Sequence, residues 1–271
     1  MNILFLGDIM GRAGRDALAE KLPDLRANLQ LDFVVVNAEN ATSGSGLNID
    51  HAKDILASGV DCITLGDHAF DQREMINFIQ QEPRIIRPLN FAKTAPGNGS
   101  GVFTTATGKR ILVTQVLGQV FMKKNFSDPF SVLDSVLNIA KLGIACDAAI
   151  VDVHAEATSE KRALAHWCDG KASLVVGTHT HIPTSDLQIL PKGTAYQTDA
   201  GMCGDYNSII GMDFQEPMQR FVTGMSKGRF VPAIGPASLC GVFVKINSSN
   251  FPETTCALRI GGILEPLLPK V

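Results

Sequence analysis

The chain has 271 residues, 45% of them hydrophobic, with a formal net charge of -3. That is enough apolar content for one large domain with a sizeable core, and no linker-like stretch divides it, so a single domain over 1–271 is expected. The charge balance excludes the broad basic field that holds a nucleic-acid backbone; stable nucleic-acid binding is not expected, although a small nucleotide remains open.

Residues 2–7 form an apolar run that breaks at Gly7-Asp8, which predicts a buried strand. Leu18, Leu22, Leu25 and Leu29 predict a helix over 15–29, with Pro23 a point of kinking or termination. A strand at 33–36 leads into Asn37-Ala38-Glu39-Asn40, then a Ser/Gly loop and a helix over about 50–58. A third strand at 62–65 ends at Gly66-Asp67-His68. The next helix is expected over 71–80, capped by Asp71 with Glu74 at the capping-box position. Residues 101–107 and 110–115 predict a hairpin turning through Thr107-Gly108-Lys109, and 130–142 a helix. An apolar strand at 148–153 ends at His154, a helix over 159–168 follows, and a strand at 174–177 ends at Thr178-His179-Thr180-His181. Strand-like runs at 186–190, 194–197, 239–247 and 254–260 predict a second, more antiparallel sheet. The first half has the beat of a parallel sheet covered by helices, an α/β class.

Asp8, Glu39-Asn40, Asp67-His68, His154 and His179-x-His181 each follow the carboxyl end of a predicted strand. Ligands bind at that edge in open α/β sheets. A single histidine after a strand is ordinary, and Gly-Asp is common turn chemistry. Five strand ends carrying such residues in order are a different matter. On an extended segment, H-x-H would point both imidazoles to one side. His51 and His166 fall within predicted helices and read as structural.

Imidazole and carboxylate together suit Zn, Fe, Mn or Co. Hydrolysis of a phosphate ester needs a nucleophile, charge neutralisation and a stabilised leaving oxygen, and two metals about 3.5–4 Å apart supply all three. Water between two divalent ions loses its proton readily, and the resulting bridging hydroxide attacks phosphorus in line. Glu39 sits centrally enough in the order to bridge the ions. His68, beside Asp67, is the natural donor of a proton to the leaving oxygen.

The runs GDIMGRAGR (7–15), NAENATSGSG (37–46), GDHAFD (66–71), VDVHAEATSEK (151–161) and VGTHTHIPTSD (176–186) resemble the calcineurin-like metallophosphoesterases. Within them they look like the YmdB-like bacterial branch of cyclic-nucleotide phosphodiesterases. The resemblance spans most of the chain. It implies a four-layer α/β/β/α sandwich and a dinuclear centre, most often iron (Fe/Fe or Fe with a divalent partner), with Mn or Zn as alternatives. It implies one metal on Asp8, Glu39, Asn40 and His181, and a second on Glu39, Asp67, His154 and His179, with Glu39 shared and His68 catalytic. The implied substrate is a small phosphate ester, best matched to 2′,3′-cyclic nucleotides, with 3′,5′-cyclic nucleotides also in range. A general phosphomonoesterase or nucleotidase, and a weakly catalytic metal-containing regulatory scaffold, are the competing readings. The family usually carries Gly-Asn-His where this chain has Gly66-Asp67-His68. Ionised Asp67 can only accept hydrogen bonds and adds a negative charge, which predicts weaker phosphate binding and a preference for a more highly charged metal pair.

The apolar run at the N-terminus is too short for a signal-peptide core, and no stretch reaches membrane-spanning length. The six cysteines show no C-x-x-C spacing and read as buried, reduced thiols, which points to the cytoplasm. Arg12 and Arg15, between a strand and a helix, are candidates for an anion or simply solvated. Glu156 is a candidate to orient a ligand. Thr178 and Thr180 are expected to face the core or bond backbone. Asn90 and residues 199–201 are candidates for the pocket border, and 121–126 for a cleft, core or partner surface. A homo-oligomer is open.

Overall fold

A computed structural model describes residues 1–122 and 126–269. The chain opens with β1 (Asn2–Leu6), β2 (Asp8–Ile9), α1 (Gly11–Asn28), β3 (Phe33–Asn37), α2 (Ile49–Ala57), β4 (Cys62–Thr64), α3 (Met75–Phe78) and β5 (Ile85–Ile86). It continues with β6 (Ser100–Thr104), β7 (Arg110–Leu117), α4 (Pro129–Ile139), β8 (Ala148–His154), α5 (Thr158–Cys168) and β9 (Leu174–Thr178). The last part holds β10 (Gln188–Ile189), β11 (Ala195–Gln197), β12 (Met202–Asp205), α6 (Gln215–Thr223), β13 (Ala237–Ile246) and β14 (Pro252–Gly261).

Period-two alternation along the strands builds two kinds of interface. Leu4, Leu6, Val34 and Val36 pack with Leu18 and Leu22 of α1 and Ile55 of α2. Their neighbours Ile3, Phe5 and Val35 face the other way and pack against Val113, Ile150 and Val176 of the second sheet. That sheet's outer face, with Leu112, Val151 and Val175, buries Leu133 and Leu137 of α4 and Leu164 of α5. The layers are helix, sheet, sheet, helix, which is the expected α/β/β/α sandwich. Strands buried on both faces read as continuous apolar runs, as FVVVN in β3 does.

The first sheet has the order β2-β12-β13-β1-β3-β4-β5, with β14 beside β13; the second runs β10-β11-β9-β8-β7-β6. β1, β3, β4 and β5 are parallel, as are β7, β8, β9 and β11. The carboxyl ends of β1, β3, β4, β8 and β9 therefore deliver their following residues to one rim.

Several expectations are corrected. The runs at 239–247 and 254–260 do not start a second antiparallel sheet. As β13 and β14 they pair with each other and, through β13, with β1, extending the first sheet. The second sheet is parallel at its centre and antiparallel only at its edges, β10 and β6. α1 begins at Gly11 and runs through Pro23 to Asn28 without stopping. The helix expected over 71–80 shrinks to Met75–Phe78 because its supposed caps are engaged elsewhere. Glu74 accepts from the Ile49 amide at the start of α2 (2.7 Å). Asp71 accepts from the Ser45 hydroxyl (2.6 Å) and binds His68. The hairpin at β6 and β7 stands as expected. Arg15 donates to the Ala41 carbonyl and so is tied to the loop after β3. Of the run 121–126, residues 123–125 lie outside the described residues; Phe126 stacks on Phe91 at 5.0 Å between ring centroids. No helix among the described residues is long and apolar enough to cross a membrane, and all six cysteines are free.

β9 depends on close backbone approach at Gly177. A Cβ there would fall 1.8 Å from the Thr198 carbonyl oxygen and 2.9 Å from Lys161 Cδ. Overpacking a buried strand of this kind typically costs about 1–3 kcal/mol. Gly177→Ala is expected to lower the urea midpoint accordingly; an unchanged midpoint would show that the strand has room to shift.

Candidate metal centre

Each candidate side chain is placed at or just beyond a strand end. Asp8 lies in β2, one residue beyond Gly7 at the end of β1, and is fully buried. Glu39 is held by an Asx-type turn, its amide donating to Asn37 Oδ1 (3.0 Å). Asp67 and His68 follow β4, and the His68 amide donates to Glu39 Oε2 (3.1 Å). His154 is the last residue of β8. His179 and His181 flank Thr180 just beyond β9.

The expected geometry of the H-x-H pair is corrected here. The segment is not extended: His179 has φ 89° and His181 φ 66°, both left-handed. Non-glycine residues hold that region at a cost of order 1–3 kcal/mol each, and only when the surroundings over-determine it. The surroundings do. Thr180 donates its hydroxyl to Asp199 Oδ2 (2.6 Å), its amide donates to the same oxygen (3.2 Å), and Lys161 Nζ donates to Thr180 Oγ1 (3.1 Å). Lys161 and Asp199 form an ion pair at 2.7 Å with both side chains wholly buried. The His179 amide donates to Asp8 Oδ2 (3.2 Å), and His181 Nδ1–H donates to the Ile210 carbonyl (2.8 Å).

The side chains then converge. Donor atoms of Glu39, Asp67, His154 and His179 all lie within 4.8 Å of one another. His154 Nε2 is 3.1 Å from Glu39 Oε1, 3.3 Å from Asp67 Oδ1 and 3.1 Å from His179 Nδ1. A second group adjoins through Asn40, whose Nδ2 is 3.2 Å from Glu39 Oε1 and 3.2 Å from His181 Nε2. His181 Nε2 is 3.8 Å from Asp8 Oδ1. All seven expected metal-facing residues, and His68, are thus brought together, with Glu39 touching both groups.

Proton bookkeeping decides what this cluster suits. The Thr178 hydroxyl has one proton and donates it to Asp152 Oδ1 (2.7 Å). Its oxygen therefore accepts from His154 Nδ1–H (2.8 Å), which leaves Nε2 as the lone pair aimed at the cluster. His181 is fixed the same way by its bond to Ile210. His179 Nε2 faces Glu156 Oε2 at 3.4 Å, leaving Nδ1 inward. Asp8 Oδ1 is buried and has no hydrogen-bond partner. The His68 and His179 amides and the Asn40 side chain each give one donor to Glu39 or Asp8, but the remaining carboxylate oxygens and inward imidazole nitrogens repel one another unless a proton or cations lie between them, so the residues present fit a metal centre. The wall behind them is shaped for it: a Cβ at Gly66 would fall 2.0 Å from Glu39 Oε2 and 2.6 Å from His154 Nε2.

The acid–base balance without a cation tells the same story. Burial pushes Asp8 up to about 7. Burial works against ionised Glu39 too, yet the neighbouring His154 holds it down at about 2. Burial also opposes a charged His154, but Glu39 and Asp67 outweigh it and raise its pKa well above the usual imidazole range. His179 is lowered to about 4 by burial and by the charge on His154. One imidazole takes a proton where positive charge is wanted, and a bound cation would displace it.

Sequence reasoning missed Asp152 and its partners Thr64 and Gln115, and also Lys161, as supporting residues. Asp152, wholly buried, accepts from Thr64 (2.7 Å), Gln115 (2.7 Å) and Thr178. Thr178 is wholly buried, as expected, but both threonine hydroxyls bond side chains rather than backbone. Asp199 supports Thr180 from within the core, and Asn90 bonds the Leu117 amide and carbonyl and the Ser127 carbonyl. An aspartate inside the apolar run AAIVDVH, two residues before His154, was the available signal.

The comparisons with known proteins agree with this architecture. The family model described as YmdB-like protein matches residues 4–257. The chain is 42% identical to the 2′,3′-cyclic-nucleotide 2′-phosphodiesterase of Bacillus subtilis, over 97% of each chain. Among solved structures, a hypothetical protein from Thermus thermophilus superposes with TM-score 0.89 at 40% identity, over 97% of this chain and 100% of that one. A Mycoplasma pneumoniae phosphatase superposes with TM-score 0.88 at 37% identity, over 96% of this chain and 93% of that one. The chain therefore belongs to the YmdB-like family, a resemblance its strand-end motifs already carried.

Proposed function

We propose that residues 1–271 form one metallophosphoesterase domain that hydrolyses cyclic-nucleotide phosphodiesters, 2′,3′-cyclic nucleotides first and 3′,5′-cyclic nucleotides in addition. The similarity to a curated phosphodiesterase supports a phosphoric ester hydrolase. The observation that carries the reading is the convergence of carboxylate oxygens and inward imidazole nitrogens in two adjoining groups that share Glu39, beside His68. Asp8, Glu39, His181 and, through Oδ1 with its amide turned to exchange O and N, Asn40 would hold one metal; Glu39, Asp67, His154 and His179 would hold the other, with Glu39 common to both. Iron is the metal proposed, alone or with a divalent partner, with Mn or Zn as substitutes. Bound there, the cations would neutralise the phosphate and lower the pKa of a water to make it a nucleophile at neutral pH. Free thiols at all six cysteines support a cytoplasmic place of work.

The protein's own residues handle the leaving group. His68 Nδ1 lies 2.6 Å from Asp71 Oδ2, which orients the ring. Burial disfavours the charged ring, but Glu39, Asp67 and Asp71 together raise its pKa above the usual value. His68 lines the cavity beside Glu39 and His179. An imidazolium there can give Nε2–H to the departing oxygen. A binding scaffold has no need of such a donor. Asp67 puts a third carboxylate against the cations, which weakens their pull on phosphate.

Metal-loaded protein is expected to turn over 2′,3′-cyclic AMP faster than p-nitrophenyl phosphate; the reverse preference would make it a monoesterase. His68→Ala should lower kcat on the diester by about 10²–10⁴-fold with metal content unchanged. Loss of metal in that variant would instead make His68 a ligand. Asp67→Asn at matched metal loading should lower the Ki for inorganic phosphate about tenfold, about 1.4 kcal/mol; an equal or higher Ki contradicts the charge argument. Chelation should lower the Tm, because a ligand at a thousand times its Kd adds about 4 kcal/mol to the folded state. A Tm indifferent to chelator and to added Mn or Fe would remove the metal centre.

A further inference from the structure

The cavity extends well beyond the donor cluster. Its volume is about 610 Å³, within the range of about 300–1,000 Å³ usual for small-molecule sites. Beyond the histidines the lining comes from the segment between β12 and β13, with Ile210, Met212, Phe221 and Phe230, and from Met10. Phe221 is 80% exposed. A large aromatic left open beside a polar cluster marks a surface that a ligand covers.

This wall is held in place before any ligand arrives. Arg220 Nε donates to Glu216 Oε1 (2.7 Å), and Nη2 donates to Ser226 Oγ (3.0 Å) and the Gly228 carbonyl (3.1 Å). Its guanidinium carbon sits 4.0 Å from the centre of the Phe230 ring. α6 and the loop after it are stapled into one unit. The same bonds occupy Nε and Nη2 of Arg220, the one polar side chain of this wall among its described residues, and leave only Nη1 outside them. The rest is aliphatic, thioether and aromatic surface, which offers a face to stack on, and the lone Nη1 donor group is too little to read a base edge.

Resting on the phosphodiesterase reading above, we propose that this wall seats the nucleobase, with Phe221 as a specificity-determining residue, while the phosphate meets the donor cluster. Recognition is by ring area. Adenine and guanine are taken alike, and uracil and cytosine more weakly, because base–aromatic stacking is tolerant of edge pattern. The site accordingly serves a range of cyclic nucleotides and prefers purines.

The test compares 2′,3′-cyclic AMP with 1-O-methylribose 2′,3′-cyclic phosphate, which lacks a base, in wild type, Phe221→Ala and Phe221→Tyr. In wild type the base-bearing diester is expected to have a KM about tenfold lower than the base-less one. Phe221→Ala should bring that ratio toward one through KM and not kcat, and Phe221→Tyr should restore it. The exposure of Phe221 keeps the fold out of the result. A ratio that survives in Phe221→Ala overturns the proposal. So does a change in sedimentation with the ratio intact, which would make the wall a contact between copies of the chain. Wild-type protein that cleaves neither diester overturns the phosphodiesterase reading and this one with it; cleavage of both with equal KM overturns this one alone.

Discussion

Everything at the rim depends on holding electron-rich atoms closer together than they would choose to be. Oxygens of Glu39 and Asp67 and the inward nitrogens of His154 and His179 lie within 4.8 Å of one another, His181 adjoins with Nε2 3.8 Å from Asp8 Oδ1, and that oxygen has no hydrogen-bond donor. In a low-dielectric interior such repulsion is strong. The sandwich sustains it because the donors are fastened at strand ends of two sheets packed face to face. Strand ends do not drift independently when the cores on both sides are close-packed. A fold with one sheet would deliver Asp8, Glu39 and Asp67 but not the three histidines.

The fastening runs through buried polar chains in which each proton has one destination. Thr64 and Gln115 donate to Asp152; Thr178 donates to Asp152 and accepts from His154. Lys161 and Asp199 do the same for Thr180, and through it for both left-handed histidines. A buried ion pair is weak evidence for stability, since desolvation offsets its attraction. Its best-supported use is to specify a conformation, and here the conformation specified is an unfavourable one that puts two imidazoles on opposite sides of Thr180. The strain in His179 and His181 and the burial of Lys161 are two ends of one arrangement.

This explains which parts were legible in the sequence. The apolar strand runs ending at Asp8, Glu39, Asp67, His154 and His179 were visible because period and composition are local signals. β13 and β14 were visible as strands, but not as the antiparallel extension of β1, because pairing across more than two hundred residues leaves no local mark. The i, i+2 argument was applied to His179 and His181, where the backbone turns, and it held instead for Asp152 and His154 on β8. Extended geometry is safe to assume inside a strand and unsafe one residue past its end. The cap expected at Asp71 failed for a related reason: its carboxylate is engaged by His68 and Ser45 rather than by the next helix.

The two sides of the cavity also differ in how they were built. The donor side consists of strand ends, where displacement of any residue is resisted by both sheets. The apolar side, from Ile210 to Phe230, is an excursion between β12 and β13 whose shape rests on Arg220 and a few bonds within α6 and its loop. A rigid side suits charge that must be met at a fixed distance; an excursion can change its apolar residues without disturbing the donors. The departure at position 67 belongs to the rigid side. Asp67 stands with His154 and His179, where a carboxylate in place of an amide changes the charge of the donor cluster and not the apolar wall. On the proposed reading, affinity for phosphate and preference for a base would therefore be separable, each carried by a different part of the fold.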